Sequence, residues 1–248
     1  MKTQDLLIAI TLFFSVTLSS CFRFDFDAAN CIKGEGTIVE REIALSEISK
    51  INLSSSIDVV VSQGPVQKVL AVGHGNIIDH LNTNVSNRLW DVNLDNGCYS
   101  SFELTVYVTV PEIEALKNTG SGEIVLEDFN QCFDPTVTIS GSGNFIMNEF
   151  ETAKQLFITI NSSGSFYAQK QVTCFENLTV KLGGSGSFNG FAIEAKNGDA
   201  TTSGSGSCSI FAVETLDATI TGSGDISYKG TPRLTIHDNG SGNLKQAN

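Results

Sequence analysis

Three clusters in this 248-residue chain have residue types that can do chemistry. His237, Asp238 and Ser241 supply the side chains of a nucleophilic triad. A triad needs an acid that orients the imidazole and an imidazole that reaches the hydroxyl. On an extended segment, successive side chains point to opposite faces, so His237 and Asp238 cannot orient each other. His74, Asp79 and His80 have metal-binding types, but they sit around a predicted turn without a fourth ligand. The run Gly222-Ser-Gly-Asp225 is similar to a calcium-binding β-roll turn. Such a roll needs a recurring Asp. The position after the second Gly reads Glu123, Asn144, Ser165, Ser187, Ser207, Asp225 and Asn243 instead. A Gly-Ser-Gly without a following Lys is not a phosphate loop. The expectation is therefore no catalytic residue, no metal and no cofactor.

The elements that carry these residues repeat. Triplets of the Gly-Ser-Gly type centre on Ser121, Ser142, Ser163, Ser185, Ser205, Ser223 and Ser241, with spacings of 21, 21, 22, 20, 18 and 18. Near-constant spacing in this range marks a solenoid. Five positions before the central Ser stand Leu116, Val137, Ile158, Val180, Ala200, Ala218 and Ile236, all apolar. Four before stand Lys117, Thr138, Thr159, Lys181, Thr201, Thr219 and His237, all polar. Three after stand Ile124, Phe145, Phe166, Phe188, Cys208, Ile226 and Leu244, apolar again. A period of two on both sides of the triplet predicts half-buried strands flanking a turn, not a flexible linker.

Each copy is then one coil, stacked in parallel about 4.8 Å from the next, with equivalent residues in ladders. The expected fold class is all-β: a parallel β-solenoid of coils 18–22 residues long, right-handed as parallel crossovers are. A Phe ladder fills the core. The glycines let the backbone bend sharply or take positive φ where a Cβ would clash. The central serines can bond along the axis.

The first twenty residues read as an address. Lys2 precedes the apolar run Leu6–Leu18, which is long enough for a signal h-region and too short to span a bilayer. Leu18-Ser19-Ser20-Cys21 follows and resembles a bacterial lipoprotein signal, in which the Cys carries the lipid. Acyl chains on Cys21 would hold the domain at a membrane without a spanning helix. Phe22 rather than Asp after the Cys favours the outer membrane, facing either the periplasm or the medium.

The organisation expected is signal 1–20, tether 21–34, an N-terminal β part 35–111 and a repeat solenoid 112–246. The run Phe22-Arg-Phe-Asp-Phe26 is open to reading as a first strand. Export permits disulfides. Five cysteines remain after Cys21, an odd number. Cys132 and Cys174 share a loop phase but lie two coils apart, roughly 10 Å by the stacking distance and beyond the reach of a disulfide. Cys208 takes a core slot as a buried thiol, and Cys31–Cys98 is the pairing left to consider.

Lys+Arg is 15 against Asp+Glu 27, a net charge of −12. That balance argues against nucleic acid, whose binders carry a basic footprint. Upstream of the repeats, strands are expected over 57–62, 66–72, 88–94 and 102–110, with a break at Gly73-His74-Gly75 and a helical turn within 76–82. Leu53-Ser-Ser-Ser-Ile57 has the form of a degenerate triplet, so the solenoid can begin there.

Together, SSSIDVVVSQG at 54–64, NIIDHLNTNVSNRLWDV at 76–92, LTVYVTVPEIEALKNTGSGEI at 104–124 and the later triplets resemble the head-GIN domain family of Bacteroidetes-type bacteria. The resemblance covers about residues 35–245. It implies a parallel β-solenoid at the cell envelope, in a family called adhesin heads by structural analogy. It brings no catalytic residues. Ser162 departs from the pattern in replacing a first Gly, and Lys or His interrupts the Thr ladder.

The functional expectation is a lipid-anchored, non-enzymatic envelope protein for adhesion, surface interaction or scaffolding. Its partners are the membrane, through the lipid, and a glycan or protein met by the Lys117–His237 ladder. The alternatives are a carbohydrate-active enzyme, which needs clustered carboxylates on one outer face, and an envelope sensing or assembly component. The outer ladder position holds no carboxylate.

Overall fold

The computed structural model describes residues 31–127, 129, 134–148, 154–170 and 172–247. The expected signal, Cys21, the Phe22–Phe26 run and Cys132 lie outside them.

Alternation of apolar and polar side chains becomes two stacked sheets. On one face, Ala115–Asn118, Thr136–Ile139 and Gln155–Ile160 pair in parallel. The ladder continues through the ends of the long strands Val172–Leu182, Phe188–Thr202 and Cys208–Ile220 to Arg233–Asp238. On the other face, Ile124–Glu127, Phe145–Met147 and Phe166–Ala168 stack below the starts of the long strands, then Ile226–Lys229 and Leu244–Gln246. The triplet turns join the two faces. In the later coils a short third ladder appears, with Val172 beside Ile193 and Ala195 beside Ala212.

The core lies between the faces. Leu116, Val137, Ile158, Val180, Ala200 and Ala218 are one buried column, in the register the repeat predicts. Phe145, Phe166 and Phe188 are another; neighbouring ring centroids lie 5.3 and 5.2 Å apart. Burying each such ring contributes about 1.5–3 kcal/mol. Cys208 continues this column as a buried free thiol. Cys31 and Cys98 are each disulfide-bonded.

The triplet glycines serve stacking. Positive φ is confined to Gly36 and Gly230 among the described glycines, both outside the triplets. A Cβ at Gly143, Gly186 or Gly206 would instead collide with the carbonyl oxygen of the glycine one coil away. The triplets bend as expected, and a Cβ would clash there, but without positive φ. The axial serine bonds differ too. The central serines bond through their backbone N–H, as Ser205 does to Gly184 O at 3.0 Å and Ser241 to Gly222 O at 2.8 Å. The side-chain column runs two positions later. There Asn144 Oδ1 accepts from Ser165 N, Ser165 Oγ from Ser187 N, and Asp225 Oδ1 from Asn243 N.

The N-terminal coils are stacked out of chain order. Lys50–Leu53 and Asp58–Gln63 lie beneath Ala115–Asn118 and Ile124–Glu127, and Ser54–Ser56 fills the triplet slot below Gly120. The chain then passes to the far side, where Leu89–Val92 and Leu104–Val110 form the outer coil. Lys68–His74 runs antiparallel to Leu104–Val110, and Ile38–Glu42 antiparallel to it in turn. This strand continues through Gly73 and His74, where the sequence suggested a break; the turn comes at the helix Gly75–Ile78. Trp90 is fully buried in the outer coil, its Nε1 donating to Asn82 O at 2.8 Å. At the start of the described chain, Ile32–Lys33 pairs with Tyr99–Ser100.

Candidate functional site

Parallel stacking turns one sequence position per coil into a straight row on the surface. Lys117, Thr138, Thr159, Lys181, Thr201, Thr219 and His237 are consecutive rungs of one outward ladder. The row extends past Lys117 to Asn52 and Asp91, where Asn52 Nδ2 donates to Asp91 Oδ1 at 2.6 Å. Lys117, Lys181 and His237 are exposed and the threonines half-buried.

Two positions earlier on the same outward side, Asp199 and Asp217 stand on adjacent coils. The single position read in the sequence carries no carboxylate, but the face does. Burial first, then the Asp217 charge, push the Asp199 carboxyl above its ordinary range, and Lys181 opposes them. His237 Nε2 lies 3.8 Å from Asp217 Oδ1.

The other sequence candidates separate. Asp238 Oδ1 accepts from Gly240 N at 3.3 Å, and Ser241 is engaged through its backbone. His74 Nδ1 accepts from Glu103 N at 3.0 Å, His80 faces Tyr99 and Asp95, and Asp79 pairs with Arg41. Among the described residues, no group of three or more His, Cys, Asp or Glu is placed to hold a metal. Asp225 bonds Asn243 and Lys245, which hold its carboxyl down at about 2.

Two features escaped sequence reading. Arg88, in the turn between Val85–Ser86 and Leu89–Val92 with φ 61°, pairs with Glu47, Glu112 and Glu114. A groove of about 460 Å³ is lined by Ser56, Asp58, Tyr99, Phe102 and Glu103 among others. Both depend on the out-of-order coil, which no local pattern announces.

Parallel coils around an apolar core, with polar rows outside and antiparallel strands at one end, define a parallel β-solenoid. The chain belongs to the family described as "Putative auto-transporter adhesin, head GIN domain", whose model matches residues 47–232. Its fold is similar to that of a "putative adhesin" from Bacteroides fragilis NCTC 9343 (TM-score 0.79, 20% identity, 87% of this chain and 100% of that one). It is similar also to a "putative adhesin" from Parabacteroides merdae ATCC 43184 (0.70, 19%, 88% and 100%). A "Putative lipid binding protein" from Parabacteroides distasonis ATCC 8503 is a further likeness (0.68, 23%, 88% and 100%). No curated protein matches.

Proposed function

We propose that this protein is a lipid-anchored, non-enzymatic β-solenoid of the outer membrane, acting in adhesion or surface interaction. The observation that carries the reading is the apolar run ending in Leu18-Ser-Ser-Cys21, upstream of a domain of the adhesin-head family. Among the described residues no helix is long and apolar enough to cross a membrane; an acyl group on Cys21 would hold the domain at a membrane without one. The Lys117–His237 ladder is one display surface, because a regular row of hydroxyls and cations suits a repetitive partner.

Labelling cells with a radioactive fatty acid tests the anchor. Label on the wild type, sensitive to a lipoprotein signal-peptidase inhibitor and lost in Cys21→Ala, is expected; label persisting in Cys21→Ala contradicts it. The stacked Asp199 and Asp217 favour one second reading, a carbohydrate-active enzyme. Turnover of any polysaccharide that Asp217→Asn abolishes would establish that reading instead.

A further inference from the structure

The sheet face that follows the triplets carries an outward row of a different kind. Tyr107, Val60, Val125, Ile146 and Tyr167 are consecutive rungs. Leu70 extends the row beyond Tyr107. Tyr107 is 43% exposed and Tyr167 39%. In the later coils the same position holds Asn189, Ser209, Ser227 and Lys245. The fold therefore accepts polar residues there, and half-buried strands favour them outside. An apolar run confined to six neighbouring rungs points to a cause beyond folding.

Polar groups flank the row on both sides. Thr109, Ser62 and Glu127 line one edge. Asp58 and Glu123 line the other, with Glu123 N donating to Asp58 Oδ1. We propose that this stripe binds a neutral, extended glycan chain. A pyranose ring has apolar C–H faces and a rim of hydroxyls. Its faces would lie on the tyrosine rings and aliphatic residues, and its rim would meet the flanking oxygens.

Other occupants match less well. The stripe is about 24 Å long by strand spacing and one side chain wide, an area of roughly 150–200 Å². A stable dimer needs about 800 Å² per partner. The carboxylates at both edges, on a chain of net charge −12, repel anionic lipid, nucleic acid and acidic polysaccharide. An acyl chain requires enclosure, and this face is an open sheet.

The inference rests on the surface-interaction reading and uses a different face from the Lys117–His237 ladder. Electrophoresis of the purified full-length protein through gels containing soluble xyloglucan or hydroxyethylcellulose tests it. Retardation is expected, weakened about tenfold or more in Tyr107→Ala and Tyr167→Ala and kept in the Phe variants, whose rings still stack. Circular dichroism checks that each variant is folded. No retardation by either polymer, or equal retardation of a Tyr107→Ala/Tyr167→Ala protein, overturns the proposal. Loss only in a Lys117→Ala/Lys181→Ala/His237→Ala protein also overturns it, while leaving the surface-interaction reading intact. A change of mass in solution in the tyrosine variants would assign the stripe to a second copy instead.

Discussion

At Gly186 a Cβ has nowhere to go, because the Gly164 carbonyl oxygen occupies its place. Backbone cannot yield as a side chain can. Gly186→Ala or Gly206→Ala is expected to cost about 3 kcal/mol, well above the roughly 1 kcal/mol scale of propensity effects. Gly183 is the control. Its added Cβ would meet the Asn161 side-chain oxygen at 2.7 Å, and that side chain can move. Gly183→Ala should stay within about 1 kcal/mol. Denaturant melts of the three variants check the contrast. The phase of these glycines and their intolerance of a Cβ were readable in the sequence, but the backbone atom each one meets was not. Spacing shows where a turn falls, whereas the distance to the next backbone exists only once coils stack. Cys208 is the opposite case, since its place in the Phe/Ile column already implied burial. Burial pushes its thiol pKa up, so the thiolate is scarce and shielded. Peptide-level mass spectrometry should find Cys208 unmodified by iodoacetamide in the native protein and modified in denaturant.

Among elements, the two ends of the solenoid differ. At the outer coil Trp90 is buried, Ile77 and Ile78 of the short helix are covered, and antiparallel strands continue the sheet. Arg88 joins residues leading into three stacked strands through Glu47, Glu112 and Glu114. Ser49, then Lys50 and Arg88, hold the Glu114 carboxyl below its ordinary range. A depressed carboxyl stabilises the fold above its unfolded pKa, and this contribution is lost as pH falls through the folded value. These groups are exposed, so salt screens them. Arg88→Gln should lower Tm at low ionic strength, with a smaller difference at about 1 M salt, where the screening length is ~3 Å.

The other end is less covered. Arg233–Asp238 and Leu244–Gln246 each pair with one strand, and Ile236 is 51% exposed. Hydrogen exchange is expected to be fastest there among the strands of the stack. Lowering the pH from 3.8 towards 2 should speed it further as Asp225 loses its charge-assisted bonds to Asn243 and Lys245. Uniform protection along the stack would contradict this. The repeat strands were legible because seven copies, aligned on the central Ser, fix their own register. The coil order at the other end was not, since alternation tells which side of a strand is buried and never which neighbour lies beside it. For the same reason Tyr107 and Tyr167, sixty residues apart in the chain, become members of one row only in the folded stack.

For the whole molecule, a solenoid gains stability coil by coil through nearest-neighbour contacts, and each coil adds one rung to every outward row. Length thus becomes display surface. A net charge of −12 opposes close approach of that surface to other polyanions. In the proposed reading, an acyl group on Cys21 ties the solenoid to the outer membrane. Fractionation of cells carrying wild-type or Cys21→Ala protein tests it most directly. Wild-type protein is expected in the outer-membrane fraction, and Cys21→Ala protein outside every membrane fraction or retained as an unprocessed precursor. Processed Cys21→Ala protein in the outer-membrane fraction, in the same proportion as the wild type, would contradict it.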